Sequence, residues 1–179
     1  VKNQAWLRKY IQKRIANKDT MIATDNYYLQ DPSGYNQMDI YGKVLFNQNP
    51  NVNHTFNFQY SNTNDIPRYD RLNTINPNTG FFTTAQWYYG PETRILGSYK
   101  LGLQAKNSFY DNAKFLLAYQ FVEESRNSRN FQSNAASTNF NQLNLKSRIE
   151  KVNIYSVNAD FSKKVSTSNL SYGLEFLYN

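Results

Sequence analysis

Residues 54–60 read HTFNFQY: His54, Phe56, Phe58 and Tyr60 alternate with Thr55, Asn57 and Gln59. A period of two sends successive side chains to opposite sides of an extended chain, so this stretch predicts a β-strand with one aromatic face and one polar face. The pattern spreads outward from there. Upstream, Met38, Ile40, Val44 and Phe46 alternate with Asp39, Tyr41, Lys43 and Leu45, and NPNVN (Asn49 to Asn53) supplies a turn. Downstream, Thr93 to Gln104 and Ala113 to Val122 repeat the alternation around a turn at NSFYDN. A third pair, Glu150 to Phe161 and Asn169 to Tyr178, is joined by KKVSTS. Three hairpins predict an all-β, antiparallel up-and-down sheet of about six strands over residues 36–179.

The connections are unequal. Within each hairpin they are short; between hairpins the chain makes long polar excursions, from Asn62 to Thr83 and from Glu123 to Lys146, beyond the usual ~12 to 15 residues of a structureless loop. With strands running alternately up and down, short turns fall at one end and long loops at the other. Transmembrane barrels have that asymmetry, and the runs are close to the ~9 to 11 residues that a tilted membrane strand needs.

Composition bounds the chemistry. The 179 residues contain no cysteine, which removes thiolate catalysis, cysteine zinc sites and disulfides. Lys and Arg number 20 against 13 acids, a net charge of +7 that attracts anionic ligands, lipids or nucleic acid. Aromatic residues make up 16% of the chain, 15 of them tyrosine, which suits strands and membrane interfaces. No run approaches the ~20 apolar residues of a membrane helix, and the N-terminus carries no apolar signal segment. Residues 1–35 read as a loop region, extracellular in a barrel. Within it Trp6, Leu7, Tyr10, Ile11 and Ile15 of AWLRKYIQKRIANK have the spacing of a short basic amphipathic helix.

The succession SGYNQMDIYGKVLF, QYSNTNDIPRYDRL, QWYYGPETRILGSYKL, YDNAKFLLAYQFVEESRNSRNF, EKVNIYSVNADFSKKV and SYGLEFLYN resembles the barrel of a TonB-dependent outer-membrane receptor of the Bacteroidetes type, from Ser33 to the end. Its nearest likeness is to receptors for haem, haemoglobin or siderophores. The resemblance implies an outer-membrane location and a barrel of about 22 strands closed by a plug domain. It also implies contact with outer-membrane lipid, energy from the TonB complex through the plug, and uptake of a small iron-bearing ligand or of that ligand from its carrier protein. Six strands and no plug make the chain a segment of such a barrel, a fragment that supplies wall and ligand-capturing loops. No enzymatic activity and no cofactor are expected. The alternative from another class is a soluble all-β binding or interaction domain, since a half-buried sheet alternates in water as in lipid.

Three motifs have the residue types for a site. DIPRYDRL (Asp65 to Leu72) offers Arg68, Tyr69 and Arg71 to an anionic ligand, because guanidinium forks suit carboxylates. Its equal numbers of acids and bases favour internal pairing that anchors a loop. EESRNSRNF (Glu123 to Phe131) has the same balance, with Glu123 and Glu124 against Arg126 and Arg129. QWYYGP places Trp87 and Tyr88 beside Tyr89, as an interfacial belt or an aromatic platform for a flat ligand. The candidate ligand-binding set is therefore Arg68, Tyr69, Arg71, Trp87, Tyr88, Arg126 and Arg129. His54 is the only histidine and sits beside a short turn, which favours a structural role over a metal or catalytic one. Dispersed lysines and the lack of a recognition motif argue against nucleic acid.

Overall fold

The computed structural model describes residues 8–16, 18–132 and 144–179. The protein is all-β and antiparallel. Its strands are β1 (Tyr10–Ile15), β2 (Lys18–Ala23), β3 (Gln37–Asn49), β4 (Val52–Thr63), β5 (Ile66–Pro67), β6 (Thr84–Tyr89), β7 (Thr93–Gln104), β8 (Asn112–Asn130), β9 (Lys146–Val165) and β10 (Ser168–Tyr178). One helical turn, α1 (Tyr69–Leu72), is the only helix among the described residues. The main sheet runs β10-β9-β8-β7-β4-β3; β6 pairs with β8 and with β5, and β1-β2 form a separate hairpin. Among the described residues the path ends at β3 and β10 and does not close on itself.

The chain divides into two compact units. One gathers Met38–Asn62, Thr93–Glu123 and Lys151–Asn179 and holds the three hairpin turns. Its registers align the apolar sets in rows. Phe56 lies opposite Tyr99 and Phe58 opposite Gly97; Tyr99 in turn lies opposite Leu117, and Gly97 opposite Tyr119. Between β9 and β10, Val157 faces Phe176 and Phe161 faces Tyr172. Directly opposed residues share a face, so these rows form one apolar surface. Tyr119 and Tyr155 carry it from β8 to β9, their rings 5.1 Å apart.

That apolar surface is uncovered: Phe58 is 48% exposed, Leu117 52% and Phe176 63%. In the middle of β4 the alternate residues are covered instead. Thr55 is buried and Asn57 donates to the Ser98 hydroxyl at 3.0 Å. His54 is held by Tyr99 (2.8 Å) and Gln48 (3.1 Å), a structural arrangement beside the Pro50-Asn51 turn.

The other unit gathers Val1–Gln37, Thr63–Glu92 and Glu124–Glu150. Two expectations fail here. Residues 10–15 and 18–23 form a β-hairpin with Tyr10 opposite Ala23 and Arg14 opposite Asp19, where a helix was expected; Trp6 and Leu7 lie outside the described residues. YIQKRI alternates about as well as it satisfies a helical stripe, and strand pairing across the turn decides between them. EESRNSRNF, expected as loop, continues β8, because β6 pairs with it from Thr84↔Asn130 to Tyr89↔Arg126. Partner hydrogen bonds, not hydrophobicity, extend the strand. Within Asn62 to Thr83 the chain is also ordered, by β5, α1 and an Ile75↔Phe82 bridge.

Candidate functional site

The site grows from two short pieces. In β6 the alternation of TAQWYY puts Trp87 and Tyr89 on one side, their rings T-shaped at 4.9 Å. β5 lies along it, with Ile66 opposite Tyr89 and Pro67 opposite Tyr88. Pro67 has no N–H to lose on this two-residue strand. The next amide, Arg68 N, donates to Trp87 O at 2.9 Å, after which the Arg68 carbonyl starts α1 by accepting from Arg71 N and Leu72 N.

This turn fixes Arg68 against the β6 rings. Its guanidinium donates to both oxygens of Asp70 (2.8 and 2.7 Å) and to the Tyr89 hydroxyl (2.7 Å). It lies 4.8 Å from the Trp87 ring and 5.3 Å from the Tyr89 ring, a double cation–π contact. The hydrogen bond from Arg68 holds the Asp70 carboxyl below the usual carboxylate range, and the same bond raises the Arg68 pKa. Arg126 approaches Tyr89 at 6.0 Å and pairs with Glu124 at 2.9 Å. DIPRYDRL and EESRNSRNF are thus joined through the Tyr89 ring, between two arginines that each have their own carboxylate.

Arg71 is different. Its side chain is 63% exposed and its closest carboxylate, again Asp70, is 3.8 Å away. Tyr69 is half-buried, and burial raises its hydroxyl pKa, opposed by the charge of Arg8. Tyr88 alternates with the stacked rings and takes no part in that stack.

Arg129, the seventh candidate, is the most enclosed side chain of the set at 1% exposure. It donates to Asp19 through two nitrogens (2.6 and 2.9 Å) and to Gln86 Oε1 through Nε at 2.9 Å. Asp19 is saturated: its oxygens also accept from Gln12, Arg14 and the Gln132 amide. Burial alone would push the Asp19 carboxyl up; the hydrogen bonds from Arg129 and Gln132, with the charges of Arg129 and Arg14, outweigh it and hold the pKa low. The pair ties the β1-β2 hairpin to the end of β8. As arranged, Arg129 is scaffold and its guanidinium does not reach an open surface. Glu123 does not meet an arginine of its own motif but pairs with Lys151 at 3.2 Å.

Two further groups complete the scaffold. Arg8 is buried, lies 5.1 Å over the Phe82 ring and donates to the Asp31 carbonyl at 2.8 Å, while its Nε lacks a partner. Burial lowers its pKa, opposed by the charges of Tyr69 and Asp31. The Gly90 carbonyl accepts from Ser125 and Asn127, and its φ of +93° is glycine's to adopt. A Cβ there would stand 2.8 Å from the Asn64 carbonyl oxygen.

Sequence reasoning singled out Arg68, Trp87, Arg126 and Arg129 but not Asp19, Gln86 or Arg8. No local signal marks Asp19, whose partner is 110 residues away. Among the described residues no cluster of His, Asp and Glu has the arrangement of a metal site. The arrangement can hold loops rigidly and present Arg71 and the outer side of Arg126 to an anion. Comparison with protein-family models, with curated proteins and with solved structures finds no match.

Proposed function

We propose that this chain forms wall and ligand-capturing loops of a TonB-dependent outer-membrane active transporter for an iron-bearing ligand, haem or siderophore. The observation that carries the membrane half of this reading is the inverted burial. Among the described residues the buried hydrophobic side chains are Leu72, Phe82, Ala85 and Ala113. Buried polar or charged ones include Arg8, Asp19, Thr55, Ser125, Asn127 and Arg129, whereas Phe46, Phe56, Phe58, Leu117, Leu174 and Phe176 are exposed. A protein folded in water hides its large apolar groups; a barrel wall turns them outward to lipid. The main strands, from 11 residues in β10 to 20 in β9, are long enough to cross. The class of receptor and its iron-bearing cargo rest on the family resemblance. On this reading energy comes from the TonB complex through a plug domain, the chain performs no covalent chemistry, and Arg71 on α1 and Arg126 on β8 are cations exposed to cargo.

The chain has no cysteine, so each introduced thiol is unique. Cysteines placed at Phe56, Phe58, Leu117, Asn57, Ser98 and Gln120 in the bilayer-reconstituted protein are labelled with a membrane-impermeant maleimide and with a lipid-soluble one. The expected result alternates: the first three react with the lipid-soluble reagent, the last three with the aqueous one. Uniform aqueous labelling, with a monomer that stays folded without detergent, would favour a soluble all-β binding domain.

A further inference from the structure

The connection between β7 and β8, residues 105–111, is folded and fastened. Asn107 Oδ1 accepts from the amides of Phe109 and Tyr110, both at 2.8 Å, and Ala105 N donates to Asp111 O at 3.0 Å. The loop then reaches two further strands, β9 and β10. Asp111 N donates to Ser162 O (2.8 Å), Lys164 N to Asp111 Oδ2 (2.8 Å), and the Lys163 ammonium to Asp111 Oδ1 (2.8 Å) and to the Asn107 carbonyl. The Tyr172 hydroxyl donates to the Phe109 carbonyl.

The rings follow the backbone. Phe109 lies 5.3 Å from Phe161 and 5.5 Å from Tyr172, and Phe161 is 5.6 Å from Phe115. Phe161 and Tyr172 belong to the apolar surface, so the loop extends that surface as a ledge. Phe109 remains 60% exposed on it. The ring is thus held on a fastened connection and is continuous with the apolar patch of Phe161 and Tyr172.

The ledge also carries positive charge. Lys163 uses two of its three ammonium donors on Asp111 and Asn107, leaving one. Lys106 is exposed and feels the charge of Asp111 without pairing with it. Two ammonium groups against one carboxylate leave a net positive spot beside an exposed aromatic ring. Lysine and aromatic residues combine in this way where a protein meets lipid headgroups.

We propose that this ledge binds the headgroup of an anionic phospholipid, with Lys106 and the remaining donor of Lys163 on the phosphate and Phe109 among the upper acyl carbons. The proposal rests on the membrane-wall reading. A lipid is the occupant, rather than free phosphate, because the charged spot is continuous with the apolar surface and a bare ion would leave Phe109 in water.

The full chain, folded in detergent, is diluted onto vesicles of phosphatidylcholine alone or with 30 mol% phosphatidylglycerol, and the bound fraction is measured by flotation at low and high salt. The expected result is binding to both, tighter to phosphatidylglycerol at low salt. Lys106→Gln should lose roughly fivefold of that preference, while the control Lys13→Gln, on the β1-β2 hairpin, leaves it within twofold; Phe109→Ser should weaken binding to both vesicles. Equal losses from Lys106→Gln and Lys13→Gln, or no preference for phosphatidylglycerol, overturn the ledge and leave the wall reading standing. Failure of the folded wild-type chain to float with either vesicle overturns both.

Discussion

Asp19→Ala is the substitution with the largest expected effect on the loop scaffold. The Asp19–Arg129 pair is enclosed, with side-chain exposures of 0% and 1%, and its shortest contact is 2.6 Å. Removing the carboxylate leaves the Arg129 cation out of water without its paired charge, although Gln86 and the Asn130 carbonyl still accept from it. Breaking one side of such a pair costs about 3 to 5 kcal/mol. The Arg68–Asp70 pair is a built-in comparison: equally short at 2.7 Å, but with side chains 29% and 50% exposed. Asp70→Ala should therefore cost about 1 kcal/mol or less. Because Asp19 fastens the β1-β2 hairpin, the readout is local: amide hydrogen exchange of residues 10–23 in the reconstituted protein. At tenfold per ~1.4 kcal/mol, Asp19→Ala should speed exchange there by roughly a hundredfold to a few thousandfold, and Asp70→Ala should speed exchange of the 68–72 turn that its own pair holds by less than tenfold. A double replacement, Asp19→Leu with Arg129→Met, should recover part of the protection, since the enclosed Arg129 charge is removed with its partner while Arg14 and the Gln132 amide still lose an acceptor. Comparable acceleration in Asp19→Ala and Asp70→Ala would refute the reasoning, because burial would then not be what sets the cost.

The same carboxylate sets a pH window. Its pKa is lower in the folded protein than the ~3.9 of a free aspartate, so its stabilisation is complete above that value and is lost as pH falls through the lower folded one; hairpin protection should be flat from pH 5 to 8 and decline below about pH 4, and a decline centred near pH 6 would contradict this. Gly90→Ala forces a side chain into φ +93° and within 2.8 Å of the Asn64 carbonyl. It should cost at least ~1 to 2 kcal/mol and lower folded yield, whereas Gly34→Ala, with open space around it, should leave yield unchanged. Arg68→Ala removes the stack on Trp87 and Tyr89 and, in a Trp6→Phe background, should make Trp87 more accessible to an aqueous fluorescence quencher. Arg68→Lys should restore this only in part, because lysine lacks the planar fork. Unchanged quenching in Arg68→Ala would show that the stack does not shield the indole.

Period-two patterning located the sheet well. Thr93–Gln104 appears with the bounds read from its alternation, and β4 and β10 differ from the reading by one to two residues at most ends. It was less informative where polar residues pair. Glu123 to Asn130 looks like loop in composition, yet β6 supplies it with partners, and strand length there is set by hydrogen bonding across the chain. The basic hairpin is a second case: six residues of YIQKRI fit either period, and only the complementary run KDTMIA settles which. Of the candidate site, the local part was legible, because Arg68 and Asp70 are two residues apart and Glu124 and Arg126 likewise. The part that depends on distant residues was not. Nothing near Asp19 announces Arg129, and nothing in the motif separates Arg129, enclosed, from Arg71, open to solvent.

The inverted burial bears on how such a molecule can drift in sequence. Apolar contact has no direction, so on the open face of the sheet one large hydrocarbon side chain can stand in for another, and successive single exchanges at Phe56, Leu117 or Phe176 each pass through a tolerable intermediate. Hydrogen bonds and ion pairs are directional and reciprocal. At Asp19 and Arg129, or at Ser125 and Asn127 on the Gly90 carbonyl, a lone exchange orphans its partner, and neutral change there has to proceed by coordinated replacement. Divergent descendants of this chain should accordingly vary freely in which aromatic or aliphatic residue they show on that face, and vary in linked pairs at the enclosed polar positions.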